Sequence, residues 1–116
     1  MRPILQQTEI DNQALSAMTS FHSAVVDEVK SAIQTNDVVV VGMKTNPVVT
    51  QARKMLNDKN ITFKYIEHGS YVSKWKERLA IKLWSGWPTF PQVFHKGVLI
   101  GGAKDLQKYI EAGKLK

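Results

Sequence analysis

Apolar and polar positions change rhythm several times along the chain, and each change marks an element. Ile10, Leu15, Met18, Phe21, Val25, Val29 and Ile33 recur at steps of three to five, which draws one apolar stripe along a helix over residues 10–35. Thr35-Asn36-Asp37 ends it. Val38-Val39-Val40-Val41 has no polar alternation, and four β-branched side chains in a row predict a central strand covered on both faces. Asn46-Pro47 then reads as a helix start, because Asn is a preferred cap and Pro a preferred first helical residue. Val48, Val49, Ala52, Met55 and Leu56 form the inward face of that helix as far as about Asn57.

Asp58-Lys59-Asn60 is a turn, and Ile61-Thr62-Phe63-Lys64-Tyr65-Ile66 alternates as a strand. Gly69-Ser70 breaks it. Ser73 is placed to cap a helix over 74–85 whose apolar residues are Trp75, Leu79, Leu83 and Trp84. Trp87-Pro88-Thr89-Phe90-Pro91 is excluded from a helix interior by its two prolines. Gln92–His95 and Val98–Ile100 flank Lys96-Gly97 as a hairpin, Gly101-Gly102 breaks the chain, and residues 103–112 form a last helix with Leu106, Tyr109 and Ile110 inward. The order is α, then β-α-β-α-β-β-α. A strand–helix–strand unit implies a parallel pair and the hairpin an antiparallel one, so the expected fold is an α/β domain with a mixed four-stranded sheet. Residues 1–36 are expected to be a helical extension and residues 37–116 the domain proper.

Composition narrows the chemistry. The 116 residues fit one domain, and 43% hydrophobic with 22% charged residues is an ordinary globular mixture. No apolar run is long enough to span a bilayer and MRPILQQTEIDNQ lacks the pattern of a signal peptide, so a cytoplasmic location without membrane contact is expected. The chain has no cysteine, which removes disulfides, thiolate nucleophiles and zinc–thiolate sites together. His22, His68 and His95 have no ligand spacing, so no metal site is expected. The net charge of +6 is uneven: residues 1–37 hold two basic against five acidic side chains, and the rest hold fourteen basic against five acidic. That asymmetry suits either an anionic ligand or a plain solvated lysine surface.

Three motifs carry a resemblance to the glutaredoxins of the thioredoxin fold over roughly residues 37–112. The first is the strand ending in Gly42-Met43 followed by Asn46-Pro47-Val48-Val49 at the place of the family's Cys-Pro-x-Cys. The second is Trp87-Pro88-Thr89-Phe90-Pro91-Gln92, typical of the monothiol branch with its cis-proline; the third is Gly101-Gly102 after the hairpin. The resemblance implies a glutaredoxin-type sheet with helices on its faces and an extra N-terminal helix.

The departures are chemical. Asn46 stands where the nucleophilic cysteine belongs, Val49 where the resolving cysteine belongs, and Met43 at the family's basic position, with Lys44 one place late. Thiol–disulfide exchange needs a thiolate, and an amide cannot replace it. The iron–sulfur cluster of the monothiol branch loses its ligand for the same reason, so neither a cluster nor any required cofactor is expected. What the resemblance leaves is a groove. Glutathione would pair with the backbone at Phe90, before Pro91; one carboxylate would meet Gly102, Ala103 and Lys104 at a helix start; the other would meet Lys44, Arg78 or Lys82; and Asn46 would donate its amide to the ligand's thiol or carbonyl. Each residue also has a plainer reading: Asn46-Pro47 as a helix cap, Arg78 and Lys82 as surface charges, and Trp75, Trp84 and Trp87 as core or groove wall. Lys104 occupies the position of the family's acidic partner for the ligand's amino group, with Asp105 next.

Three functions compete. The first is a binding module for glutathione, an acidic extended peptide or a protein partner, without catalytic residues of its own. The second is a glutathione-dependent oxidoreductase or transferase in which bound glutathione supplies the thiol. The third, nucleic-acid binding through the basic portion, ranks last because no recognised motif accompanies the charge.

Overall fold

The valine run becomes the strand on which the domain is assembled. In the computed structural model, which describes residues 3–115, a short 3₁₀ turn at Gln7–Glu9 leads to α1 (Asn12–Ser20), α2 (Ser23–Thr35), β1 (Val38–Gly42), α3 (Pro47–Asp58), β2 (Lys64–Glu67), α4 (Trp75–Ser85), β3 (Gln92–His95), β4 (Val98–Gly101) and α5 (Ala103–Glu111). Met1, Arg2 and Lys116, the outer ends of the two expected segments, lie outside the described residues. The sheet order is β2-β1-β3-β4, with β1 parallel to β2 and antiparallel to β3, and β3 antiparallel to β4. This is the mixed four-stranded sheet that the resemblance implies.

Alternate valines of β1 explain the unbroken run. Val38 and Val40 face a cluster with Ala52 and Leu56 of α3 and Ala103 and Leu106 of α5. Val39 and Val41 face the other side, with Val29 of α2, Ile81 of α4, and Phe90 and Phe94. All five residues of β1 are buried, as a strand covered on both faces requires.

Several local expectations are corrected. The N-terminal stripe is carried by two helices rather than one. Thr19 and Ser20 turn their hydroxyls back to donate to the carbonyls of Ser16 and Ala17, taking acceptors at the end of α1. Phe21 then leaves helical geometry and His22 adopts a left-handed conformation with φ 45°, which starts α2 in a new direction. The strand expected from Ile61 pairs only from Lys64 to Glu67, with Ile61 buried ahead of it. Ser73 does not cap α4; Lys74 is the cap residue, itself left-handed, and supplies no side-chain bond. Val48 is exposed instead of inward.

The two N-terminal helices are held very differently. Val29 of α2 is completely buried, with Val25, Ala32 and Ile33 packed around it. No residue of α1 is buried, and Met18 is 58% exposed. Between this region and α4 lies an apolar cavity of about 920 Å³, bounded by residues including Ile10, Leu15, Phe21, Leu79 and Trp84. Val29→Ala should therefore lower the unfolding free energy by about 1.5–3 kcal/mol, the transfer and cavity terms for two carbons, whereas Met18→Ser should change it by less than about 0.5 kcal/mol. Urea unfolding of the two variants measures both; equal losses would show that α1 is packed as tightly as α2.

Candidate functional site

Strand register gathers four loops at one end of the sheet. Val41 of β1 is opposite Gln92, the first residue of β3; Gly42 is opposite Glu67, the last of β2; and Val93 is opposite Gly101, the last of β4. The loops after β1, after β2, before β3 and after β4 therefore emerge together. They contain Lys44 and Asn46, His68 and Ser73, Phe90 and Pro91, and Gly102 respectively.

Asn46 behaves as its position before Pro47 predicts. Its Oδ1 accepts from the backbone N–H of Val48 at 2.9 Å and of Val49 at 3.1 Å, capping α3. These donors concentrate the positive end of the helix. The side-chain oxygen thus occupies the field that stabilises an anion at this point. Val49 turns away from the surface and is buried with Val41 and Ile81. Neither residue fits an iron–sulfur cluster: one offers an amide oxygen already engaged by the helix, the other a hydrocarbon.

The Phe90–Pro91 peptide bond is cis. Phe90 lies two residues before Gln92, the first paired residue of β3, its side chain buried and its ring 5.6 Å from Lys82 Nζ. Lys44 is exposed, as is Lys104 at the start of α5, where Ala103 is buried. Gly101 has φ +117°, and a Cβ there would come within 2.6 Å of the Asp105 carboxyl carbon, so the turn needs glycine. Asp105 accepts from the Gly102 N–H at 3.0 Å, so its carboxylate is turned onto its own helix start.

Arg78 does not join the other cations. It is 7% exposed, and its Nη1 donates to the carbonyls of His68, at 3.0 Å, and Ser73. The guanidinium braces the loop after β2 from inside. Two residues outside the sequence-based set belong to the site instead. Trp87 packs its indole against Gly102, with Nε1 about 3.7 Å from where a Cβ would stand, and that buried N–H has no acceptor among the described residues. Gln92 is fully buried, donates from Nε2 to the Trp87 carbonyl at 3.1 Å, and leaves Oε1 without a donor. In the sequence, Trp87 and Gln92 bracket the double-proline loop; nothing there shows which polar atoms are left unpaired. The large apolar cavity beside α4 shares no lining residue with this end of the sheet.

Under α3, the Arg53 guanidinium lies 3.8 Å above the Tyr65 ring, and Tyr65 donates its hydroxyl to Glu67 at 2.9 Å. Burial and that bond to a carboxylate push the phenol up to about 12.

Residues 38–100 match the glutaredoxin family. A glutaredoxin-like protein of Dictyostelium discoideum is 48% identical over 98 residues, covering 84% of this chain and 80% of that protein. The human mitochondrial glutaredoxin-2 is 27% identical over 108 residues, covering 91% of this chain and 65% of its own length. Among solved structures, a buckwheat glutaredoxin–glutathione complex superposes with a TM-score of 0.71 at 21% identity, over 81% of this chain and 86% of that one; at that identity the likeness is one of fold.

Two outcomes follow from the geometry. Asn46→Ala should cost about 1 kcal/mol by removing the cap, while Asn46→Asp should keep most of the stability because a carboxylate accepts the same N–H bonds; thermal unfolding of both distinguishes a cap from a passive surface residue. Tyr65 should ionise well above the ordinary range of a tyrosine. Its raised value means the folded state holds the proton longer than the unfolded chain, so its contribution is complete below about pH 10 and is lost as pH rises toward about 12. An ultraviolet titration compared with Tyr65→Phe shows this directly.

Proposed function

The chain belongs to the glutaredoxin family, and from that premise we propose that it is a ligand-binding member that performs no thiol–disulfide exchange with residues of its own. The observation that carries this reading is the helix start at Asn46, where an amide oxygen accepts both free N–H groups that would otherwise steady a thiolate. With no cysteine in the chain, no residue supplies a mixed disulfide.

The groove beside it keeps the means to hold an extended anionic ligand. Phe90 offers main chain next to the sheet for strand-like pairing. The start of α5 offers backbone N–H groups to a carboxylate, with the Trp87 indole packed behind Gly102. Lys44, Lys82 and Lys104 add positive charge, while Asp105 at the same helix start opposes an anion. Glutathione, present in the buckwheat complex, and acidic extended peptides share the required chemistry. Binding without a covalent sulfur anchor is expected in the high-micromolar to millimolar range, roughly 4–6 kcal/mol. The alternative, in which bound glutathione acts as the thiol, is disfavoured by the same cap, because the amides that would lower its pKa are engaged.

Titrating the isotope-labelled protein with reduced glutathione should shift amides in 44–50, 88–92 and 101–105, more weakly at high salt and more weakly in Lys104→Glu. A coupled assay with a glutathionylated substrate should give no turnover above background. Asn46→Cys is the control: it should give a thiol that alkylates with a pKa below about 8.5. Shifts confined to another surface would remove the groove from this account, and glutathione-dependent turnover unaffected by Asn46→Ala would make the protein an enzyme.

A further inference from the structure

The loop between β2 and α4 is rigid at its base and apolar at its tip. At the base, the Lys44 N–H donates to the Gly69 carbonyl at 2.6 Å, the His68 N–H to the Gly42 carbonyl at 2.9 Å, and buried Arg78 holds the carbonyls of His68 and Ser73. Gly69 has φ +63°, and a side chain there would collide with Lys74 Cβ, so the loop packs on itself. Within it, the Ser70 N–H donates to Ser73 Oγ at 3.0 Å and the Ser73 N–H to the Ser70 carbonyl at 3.2 Å. Above this brace, Tyr71 is 65%, Val72 92% and Trp75 58% exposed.

A loop fixed from within has already met the ordering cost that binding imposes, and aromatic side chains are the common anchors of protein recognition. Beside the tip, lysines outnumber acidic groups. Lys74 and Lys76 flank Trp75, the latter with Nζ 5.6 Å from its ring, against one glutamate, Glu77, 3.9 Å from Lys74. At the base, exposed Lys44 follows β1 in the loop bonded to Gly69, while Glu67 ends β2 and Glu28 is engaged by His68. We infer that Tyr71, Val72 and Trp75, rimmed by Lys44, Lys74 and Lys76, form a docking surface for a protein partner presenting an acidic segment with one large apolar side chain. The apolar residue packs on the tip, and its flanking carboxylates meet the lysines. The surface adjoins the groove proposed for glutathione and shares Lys44 with it, but does not use the Phe90, Trp87 or Gly102 positions, so shifts at 88–92 and 101–105 report on the groove alone.

The test uses the full chain and three synthetic nine-residue peptides: one of Asp and Glu with a central Phe, the same with Ser for Phe, and the same Phe in Lys flanks. The acidic Phe peptide should shift amides in 70–77 and bind about tenfold or more tightly than either control, since burying a phenyl group and matching charge each supply about that factor. Tyr71→Ser with Trp75→Ser, both at exposed sites, should abolish the difference between the Phe and Ser peptides; Lys74→Glu with Lys76→Glu should reverse the preference for acidic flanks. Glutathione shifts at 88–92 and 101–105 should persist in both variants. Equal affinity for the three peptides, or shifts away from 70–77, overturns the inference. So does sedimentation with phosphatidylserine vesicles that the Tyr71/Trp75 variant loses while no peptide responds, which assigns the surface to lipid. Concentration-dependent self-association lost in that variant, again with no peptide response, assigns it to a second copy and likewise overturns the inference.

Discussion

β1 has neither an edge nor a face that meets water. It pairs with β2 on one side and β3 on the other, and its alternate valines are buried in separate clusters. A one-residue slip would exchange the two sets and put each against the wrong helices. The register of this strand therefore fixes where Gly42 ends, and with it where the chain turns toward Asn46. The same register places Glu67, Gln92 and Gly101 at that end of the sheet. The site is a consequence of strand packing before any ligand chemistry is considered.

The start of α3 decides which groups the chain itself presents at this end of the sheet. A helix start presents unpaired N–H groups, and something must accept them. A thiolate there is stabilised while remaining a nucleophile; an asparagine side chain accepts the same bonds and has nothing further to react with. Asn46 thus keeps α3 well terminated. The rest of the terminus agrees: Pro47 keeps its favoured first position and Val49 contributes to the core.

The sequence made visible those features that depend on neighbours in the chain. The valine run, the Asn46-Pro47 start, the hairpin and the Gly101-Gly102 break each carry a local steric or hydrogen-bonding preference, and each appears where its residues predict. Features set by packing were hidden. The apolar stripe continues through Phe21 and His22, so periodicity cannot reveal that hydroxyl back-bonds end α1 and that His22 turns left-handed. Trp75 reads as apolar and hence inward, but Ala80 and Ile81 face the sheet side of α4 and leave it outside. Trp87 was legible as part of a loop; its unpaired indole N–H requires knowing that Gly102 lies against it.

Arg78 shows most clearly why charge type alone does not assign a role. In sequence it stands one helical turn before Lys82, and the pair looks like one cationic face. In the fold Lys82 reaches the Phe90 ring while Arg78 points into the protein. Removing a guanidinium from water is unfavourable unless its donors are met, and here the carbonyls of His68 and Ser73 meet them. The loop they belong to is held from two further directions. The end of β1 bonds to it through Gly42 and Lys44, and α2 reaches it through Glu28, whose carboxylate lies 2.9 Å from His68 Nε2. A short surface loop is thus fixed by the central strand, by α4 and by α2 at once. Its base is set by buried or backbone contacts, so the exposed side chains of Tyr71, Val72 and Trp75 at its tip are not needed to hold it.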